Sequence, residues 1–299
     1  MHILVTGGAG FIGSHVVDAL VARGDRVTVL DDLSSGKRDN LNPTAMLVEG
    51  DVAYAAQVRA LVANVDAVVH LAAIASVQVC EHEPERAAHT NVTGTDTIFE
   101  AAALRGIPVV YASSAAVYGD NPHLPLGETS ATAPLGNYGR HKLGNEATAQ
   151  RYAAACPSVG LRFFNVYGPR QDPRSPYSGV ISIFANRAKA ATPLTFFGDG
   201  EQTRDFIYVA DVVALVLASL SVTHGAHVYN GCTGQATSLK QLATTLGEAL
   251  GAAITTQHAP ARVGDIRHSL GDPTKARAAF TLPAPTSLAA GLKKLVAHV

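Results

Sequence analysis

Short runs of β-branched and apolar residues recur along the first half of the chain, each bounded by glycine, proline or a polar residue. Ile3 to Val5, Val27 to Leu30, Val68 to Leu71, Val109 to Ala112 and Gly160 to Phe164 lack an alternating polar face. That is the pattern of strands covered on both sides in a parallel sheet. Between them apolar positions fall at helical spacing. Val16, Val17, Leu20 and Val21 follow Gly13, with Gly24 placed to stop the helix, and Pro84 and Gly106 bracket a second long helix. Strand and helix alternating over residues 1–165 predict an α/β fold, a doubly wound parallel sheet with helices on both faces.

Two proline-studded stretches, Asp120 to Pro134 and Gly168 to Pro176, interrupt the alternation and are long enough to be functional loops. The second sets an expected boundary between a dinucleotide-type domain at 1–166 and a smaller α/β domain at 167–299. The smaller domain is expected to hold helices at Ser178 to Lys189, Val209 to Leu220, Ser238 to Leu250 and Ser287 to Val296, and a strand near Val228. Some of these elements are expected to return to the first domain.

Composition narrows the function classes. The chain of 299 residues is 47% hydrophobic and only 16% charged, which excludes a disordered or coiled-coil protein. A formal net charge of -1 provides no global field for nucleic acid or anionic lipid, so neither partner is expected. The longest apolar stretch, near Val212 to Leu220, is far short of the ~20 residues of a membrane helix, and no secretory signal opens the chain. Three cysteines without a CxxC pair argue against a disulfide framework or a zinc site. A cytoplasmic protein without a bound metal is the expectation.

Gly7-Gly8-Ala9-Gly10-Phe11-Ile12-Gly13 follows the first strand and opens a helix. A tight turn without side chains lets a pyrophosphate reach backbone N–H groups at the positive end of the helix. Asp31, 21 residues past Gly10 at the end of the second strand, is placed to accept both ribose hydroxyls of NAD and to repel the 2′-phosphate of NADP. Asp51 and Val52 lie near the end of the third strand, where a side chain meets the adenine edge.

Tyr138 and Lys142 stand four apart at the start of a helix after Pro134 and so share a face. Bringing a phenol from a pKa of ~10 to ~7 needs about 4 kcal/mol of differential stabilisation. The Lys142 ammonium and the positive nicotinamide ring are expected to supply it, making Tyr138 a general base. Ser113 and Ser114 end the strand before that helix, at the carboxyl edge where open α/β sheets bind ligands. His70 and His141 read as packed histidines.

Together these residues resemble the extended short-chain dehydrogenase/reductase family, in the nucleotide-sugar branch typified by UDP-galactose 4-epimerase, over nearly the whole chain. The likeness is carried by Thr6 to Gly13, Asp31-Asp32-Leu33-Ser34-Ser35-Gly36, His70-Leu71-Ala72-Ala73, Asn91 to Thr95, Ser113-Ser114 with Val117-Tyr118-Gly119, and Tyr138 with Lys142. It continues through Asn165 to Gln171, Gly198-Asp199-Gly200 with Arg204-Asp205, and Arg262 with Gly264-Asp265.

The resemblance implies a Rossmann-type domain binding NAD through Gly7, Gly10, Phe11, Ile12, Gly13, Asp31, Asp32, Ser34, Ser35, Gly36, Asp51, Val52, Leu71, Ala72, Ala73, Asn91, Ser113, Tyr138 and Lys142. It further implies that Tyr138 takes the proton of a sugar 4-hydroxyl as C4 gives a hydride to NAD, while Lys142 holds the nicotinamide ribose and Ser114 bonds the sugar oxygen. Arg204 and Arg262 would contact the diphosphate, and Asn165 and Asp265 the rest of the nucleotide sugar. The activity implied is inversion at C4 of UDP-glucose or UDP-galactose through a 4-keto intermediate. Ser269, where some relatives carry tyrosine, leaves room for the N-acetyl group of UDP-GlcNAc or UDP-GalNAc. A homodimer through the helices around Pro84 to Arg105 and Tyr138 to Ala155 is also implied.

Two departures matter. Ala115 and Ala116 stand where related 4,6-dehydratases carry an Asp-Glu pair and glucuronate decarboxylases a glutamate, so both rival chemistries lack their acid. Asn137 replaces the proline this branch commonly places before the tyrosine. Two other rivals are a net nucleotide-sugar oxidoreductase that releases NADH and a non-catalytic NAD-sensing protein. Proteins of the second kind typically lose the Tyr/Lys pair.

Overall fold

The structure, a computed structural model, describes residues 1–172, 179–262 and 264–298. The end of the expected 168–176 loop and the expected helix start at Ser178 lie outside the described residues.

The chain opens with β1 (His2–Thr6), α1 (Phe11–Ala22), β2 (Arg26–Asp31), β3 (Met46–Glu49), α2 (Ala55–Val62) and β4 (Ala67–His70). Then α3 (Val77–His82) and α4 (Pro84–Ala88) lead through a π-helical turn at His89–Thr93 into α5 (Gly94–Arg105). Next come β5 (Val109–Ser114), α6 (Asn137–Arg151), β6 (Ser158–Phe163) and β7 (Asn165–Tyr167). The C-terminal part contains α7 (Val180–Lys189), β8 (Leu194–Phe197), β9 (Thr203–Tyr208), α8 (Val209–Ser219) and β10 (Ala226–Gly231). It ends with β11 (Ala236–Ser238), α9 (Leu239–Leu250), β12 (Thr256–Ala259), α10 (Thr274–Ala279) and α11 (Leu288–Val296).

Seven strands form one parallel sheet in the order β3-β2-β1-β4-β5-β6-β10. Side chains alternate between its two faces, and both faces are apolar. Ile3 and Val5 pack with Val16, Val17 and Leu20 of α1, whereas Leu4 packs with Val58 and Val62 of α2 and Ile98 and Phe99 of α5. The strand order reverses between β1 and β4, the place at whose carboxyl ends open α/β sheets bind ligands.

The strand expected near Val228 belongs to this large sheet. β10 pairs with β6 from Ala226 opposite Ser158 to Gly231 opposite Phe163. Helix α8 places Val212, Leu215 and Val216 over Val159 and Leu161, covering the β6 half of the face that α1 covers on the β1 side.

The remaining elements form a second layer around their own core. A three-stranded sheet, β11-β9-β7, and the pair β12-β8 pack with α7, α9 and α11 around Tyr167, Phe184, Phe196, Leu242, Leu246 and Leu292. β7 begins two residues past the end of β6, and Phe11 and Ile12 of the glycine turn pack against this second core. The small lobe therefore sits against the carboxyl edge of the large sheet. Among the described residues no helix is long and apolar enough to cross a membrane.

Candidate active site

The glycine turn is built by close approach. Gly7 is left-handed at φ 69°, and a Cβ there would lie 2.6 Å from the Ala72 nitrogen. A Cβ on Gly13 would overlap the Gly7 carbonyl oxygen, so α1 can start against the turn only with glycine at that position. Gly10 is the N-cap of α1, with no side chain bonding the free N–H groups and no acidic residue in the first turn. An uncapped helix start with a positive dipole end suits a pyrophosphate. Leu71, Ala72 and Ala73 follow β4 beside it, and Leu71 donates its N–H to the Thr6 carbonyl oxygen.

Asp31 ends β2 and is buried. Its carboxylate accepts N–H bonds from Ala9 and Leu33, both at 2.9 Å. Burial lifts its pKa above the ordinary carboxylate value against the pull of those donors. Two acceptor oxygens fixed by backbone, with lone pairs left over, can take a ribose diol. Leu33 is held at φ 56°, Asp32 binds Ser34 through its N–H and hydroxyl, and a Cβ on Gly36 would press on Ala9 and Asp31. Ser35 lies exposed on this loop. Asp51 accepts from the Ala53 N–H and lies 2.7 Å from His89, while Val52 is buried under Gly94.

Tyr138 and Lys142 lie on the first turns of α6, the Lys142 nitrogen 5.8 Å from the phenol ring centre. Lys142 is 3% exposed and donates to the Ala112 carbonyl oxygen at 2.9 Å. Burial pulls its pKa down to about 8. Ser114 accepts from the Ala116 N–H at 3.2 Å and lies close enough to the Tyr138 phenol to pull its pKa down. The expectation that Lys142 draws the phenol toward neutrality is not met by the protein alone. Burial pushes Tyr138 up to about 12, with Ser114 working in the other direction. The lysine is itself desolvated and directed at a carbonyl, so its charge does not offset the loss of water around the phenol.

The two histidines are packed. The His70 Nδ1 lies 2.7 Å from the Thr6 hydroxyl, and its Nε2 lies 3.0 Å from the Thr95 hydroxyl, which donates to the Asn91 carbonyl oxygen. Because the Thr95 proton is committed to Asn91, Nε2 carries the imidazole hydrogen and Nδ1 accepts from Thr6. This chain needs a neutral ring, and burial together with Lys142 brings the His70 pKa down to about 3. Asn91, in the π-helical turn, clamps the loop after β4 by accepting the Ile74 N–H and donating to the Ile74 carbonyl oxygen. His141 lies 3.5 Å from the same Asn91 amide, its pKa lowered by burial.

Of the residues named for the sugar nucleotide, Arg204 and Asp265 come together as an ion pair at 3.2 Å, with Arg204 also donating to the carbonyl oxygens of Thr203 and Arg267. Arg262 stacks on Phe197, its guanidinium carbon 3.8 Å from the ring centre. Asn165 starts β7 in register with Phe206. Ser269, half-buried, donates its N–H to the Thr203 carbonyl oxygen. Ser113 is placed differently from its neighbour: its hydroxyl points to Glu146 at 2.6 Å, away from the phenol.

Residues to which the sequence assigned no role in the site hold this arrangement. Asp205 is fully buried and accepts from Thr233, Gly234 and Gly271, tying β9 to the loop after β10. Glu146 and Arg162 form a buried ion pair beneath α6. The Asn137 N–H, which a proline would lack, donates to Glu81 at 2.5 Å, and its amide donates to the Cys80 carbonyl oxygen. Glu81, next to the C-terminal end of α3, thus caps α6. Proline suits the first helical position, but here it would remove a bonded N–H, so Asn137→Pro is expected to lower stability by more than about 1 kcal/mol in urea denaturation. A smaller loss would show that the Asn137 bonds to Glu81 and Cys80 do not secure the helix start.

A parallel doubly wound sheet with an open helix start, a ribose-ready acid and a half-buried phenol at one carboxyl edge defines a dinucleotide-dependent α/β protein. The chain belongs to the NAD dependent epimerase/dehydratase family, whose model matches residues 3–231. It is 37% identical over 99% of its length, and 97% of the relative's, to a UDP-glucose 4-epimerase of Mycolicibacterium smegmatis. In three dimensions it is similar to the UDP-glucose 4-epimerase of Thermotoga maritima solved with UDP-glucose, with a TM-score of 0.95, 38% identity and coverage of 100% and 98% of the two chains. It is also similar to a UDP-N-acetylglucosamine 4-epimerase of Methanobrevibacter ruminantium in complex with UDP-N-acetylmuramic acid, with a TM-score of 0.94, 34% identity and coverage of 99% and 97%.

Proposed function

We propose that the protein interconverts UDP-sugars epimeric at C4, UDP-glucose and UDP-galactose first, using NAD held in the 1–166 part while residues 167–299 supply most contacts to the nucleotide sugar. The observation that carries this reading is the half-buried Tyr138 phenol beside Ser114, with the buried Lys142 nitrogen 5.8 Å from its ring centre one helical turn on. When bound, NAD supplies a hydride acceptor for the sugar C4 and a positive ring charge beside the phenol.

The chain's own residues do the rest. The free N–H groups of Phe11, Ile12 and Gly13 take the pyrophosphate, and Asp31 takes the adenosine ribose. Tyr138 holds the proton of the sugar 4-hydroxyl and returns it, with Ser114 bonding the same oxygen and Lys142 the nicotinamide ribose. Arg204 and Arg262 hold the diphosphate by charge-assisted forks, while Asn165 and Asp265 orient the rest. Ala115 and Ala116 put no acid next to Ser114, which favours epimerisation over dehydration or decarboxylation. Ser269 supports acceptance of N-acetylated sugars.

We further infer a cytoplasmic homodimer. Three buried, unpaired cysteines suit a reducing compartment, and Leu104 on α5 is 74% exposed on one of the helices expected to pair. The deciding experiment is proton NMR of the purified chain with UDP-glucose, then UDP-N-acetylglucosamine, without added NAD. New anomeric signals of the axial 4-hydroxyl epimer are expected, with no NADH absorbance accumulating. NADH accumulation would favour a net oxidoreductase, and an unchanged spectrum in the presence of added NAD would overturn the reading.

A further inference from the structure

Helix α6 carries the reacting phenol, yet its buried positions are Gly139, Lys142, Asn145, Thr148 and Ala149, without one large apolar side chain. Of its large apolar side chains only the partly buried Leu143 packs against a core cluster, so knobs in holes hold the rotation of this helix weakly. Directional bonds must do so. The strongest lies one turn past Lys142 and two past Tyr138, on the same side. Glu146 meets the fork of Arg162 from β6 at 2.8 and 2.7 Å, and accepts the Ser113 hydroxyl of β5 at 2.6 Å. The two side chains are 9% and 7% exposed.

Arg162 is fixed in turn. It donates to the Tyr118 oxygen at 2.9 Å and to the Glu128 carbonyl oxygen at 3.1 Å, and Tyr118 donates to Asn230 of β10 at 2.7 Å. The Asn230 N–H closes the circuit on the Glu128 carboxylate at 2.7 Å. Burial opposes the Arg162 charge, but Glu146 and Tyr118 outweigh it and hold the guanidinium protonated. Three neighbouring strands and the loop near Glu128 thus converge on one carboxylate of the helix.

We propose that the Glu146–Arg162 pair, keyed by Ser113, is a positioning device for the reaction, setting the rotation of α6 so that Tyr138 and Lys142 point into the cleft. This rests on the assignment of Tyr138 as the proton-holding group. Side chains reach about 5–6 Å from a helix axis, so a rotation of about 10° moves their ends by about 1 Å. Misplacement on that scale can lower a rate about 100-fold.

The test exploits the fact that a buried ion pair replaced by apolar residues of similar size is often neutral or stabilising. In the full chain, Glu146→Leu combined with Arg162→Met is expected to keep the melting temperature and the KM for UDP-glucose near wild type. Its kcat is expected to fall about 100-fold, with the ¹³Cζ resonance of Tyr138 displaced. A folded double variant with kcat within threefold of wild type, or a loss carried by KM, overturns the proposal. If that variant does not fold, Arg162→Lys, which keeps the charge and loses the fork, is judged by the same kcat and KM criteria. If the wild type does not epimerise at all, the proposed activity fails by itself. The Tyr138 resonance then decides the positioning role, and an unshifted signal in the variant refutes it.

Discussion

Replacing Tyr138 with phenylalanine is expected to lower kcat for UDP-glucose epimerisation by about 10²–10⁴-fold, the usual contribution of a positioned acid–base group. The ring remains to pack, and only the oxygen beside Ser114 is removed. KM and the melting temperature are expected to stay near wild type, as read from progress curves and thermal melts. The pH profile should carry the same signature. Burial, with a push from Cys80 and against the pull of Ser114, holds the phenol at about 12, so ionisation near neutrality depends on the positive ring that arrives with the cofactor. In the cofactor-free chain the Tyr138 phenol is expected to titrate well above neutrality by ultraviolet difference spectroscopy. A kcat for Tyr138→Phe within tenfold of wild type would sink the assignment.

His70 produces the second large effect, on stability. Its ring is kept neutral in the fold, with a pKa of about 3 against an ordinary 6.5, so on acidification the unfolded chain takes up a proton that the native chain does not. Stability therefore falls with pH from about 6.5 down toward 3. For one such group the loss between pH 7 and 5 is about 2 kcal/mol. His70→Asn removes the titrating ring, so its stability at pH 7 should drop from the broken Thr6 and Thr95 bonds. Its further loss on going to pH 5 should be smaller than wild type by about the same 2 kcal/mol. Urea denaturation at the two pH values measures this, and parallel losses in both proteins would contradict it.

The large sheet was legible because strands buried on both faces are unbroken apolar runs, and β1, β2, β4, β5 and β6 all read that way. β10 was legible as a strand near Val228, but its partner was not, since pairing with β6 is set by contacts 68 residues apart. β7, β11 and β12 span three or four residues and leave no periodic trace. The glycine turn, Asp31 and the Tyr138/Lys142 spacing announce themselves because each chemistry demands a residue type at a fixed offset. The phenol's own pKa did not, since burial is a property of the folded surroundings. Arg162 carried a faint signal, a charge inside the apolar run from Gly160 to Phe164, where a buried cation requires a partner. Nothing local named Glu146 as that partner, and nothing linked Glu81 to Asn137.

The late arrival of β10 also bears on how this chain is made. A ribosome releasing residues 1–166 exposes β6 as a bare, apolar rim whose main-chain groups await a partner encoded more than sixty residues downstream. The nascent protein therefore carries a self-adhesive margin until translation is almost finished. Two separately produced halves would share no intact sheet, so the proposed division between cofactor and sugar contacts at 166 offers no place to divide the gene.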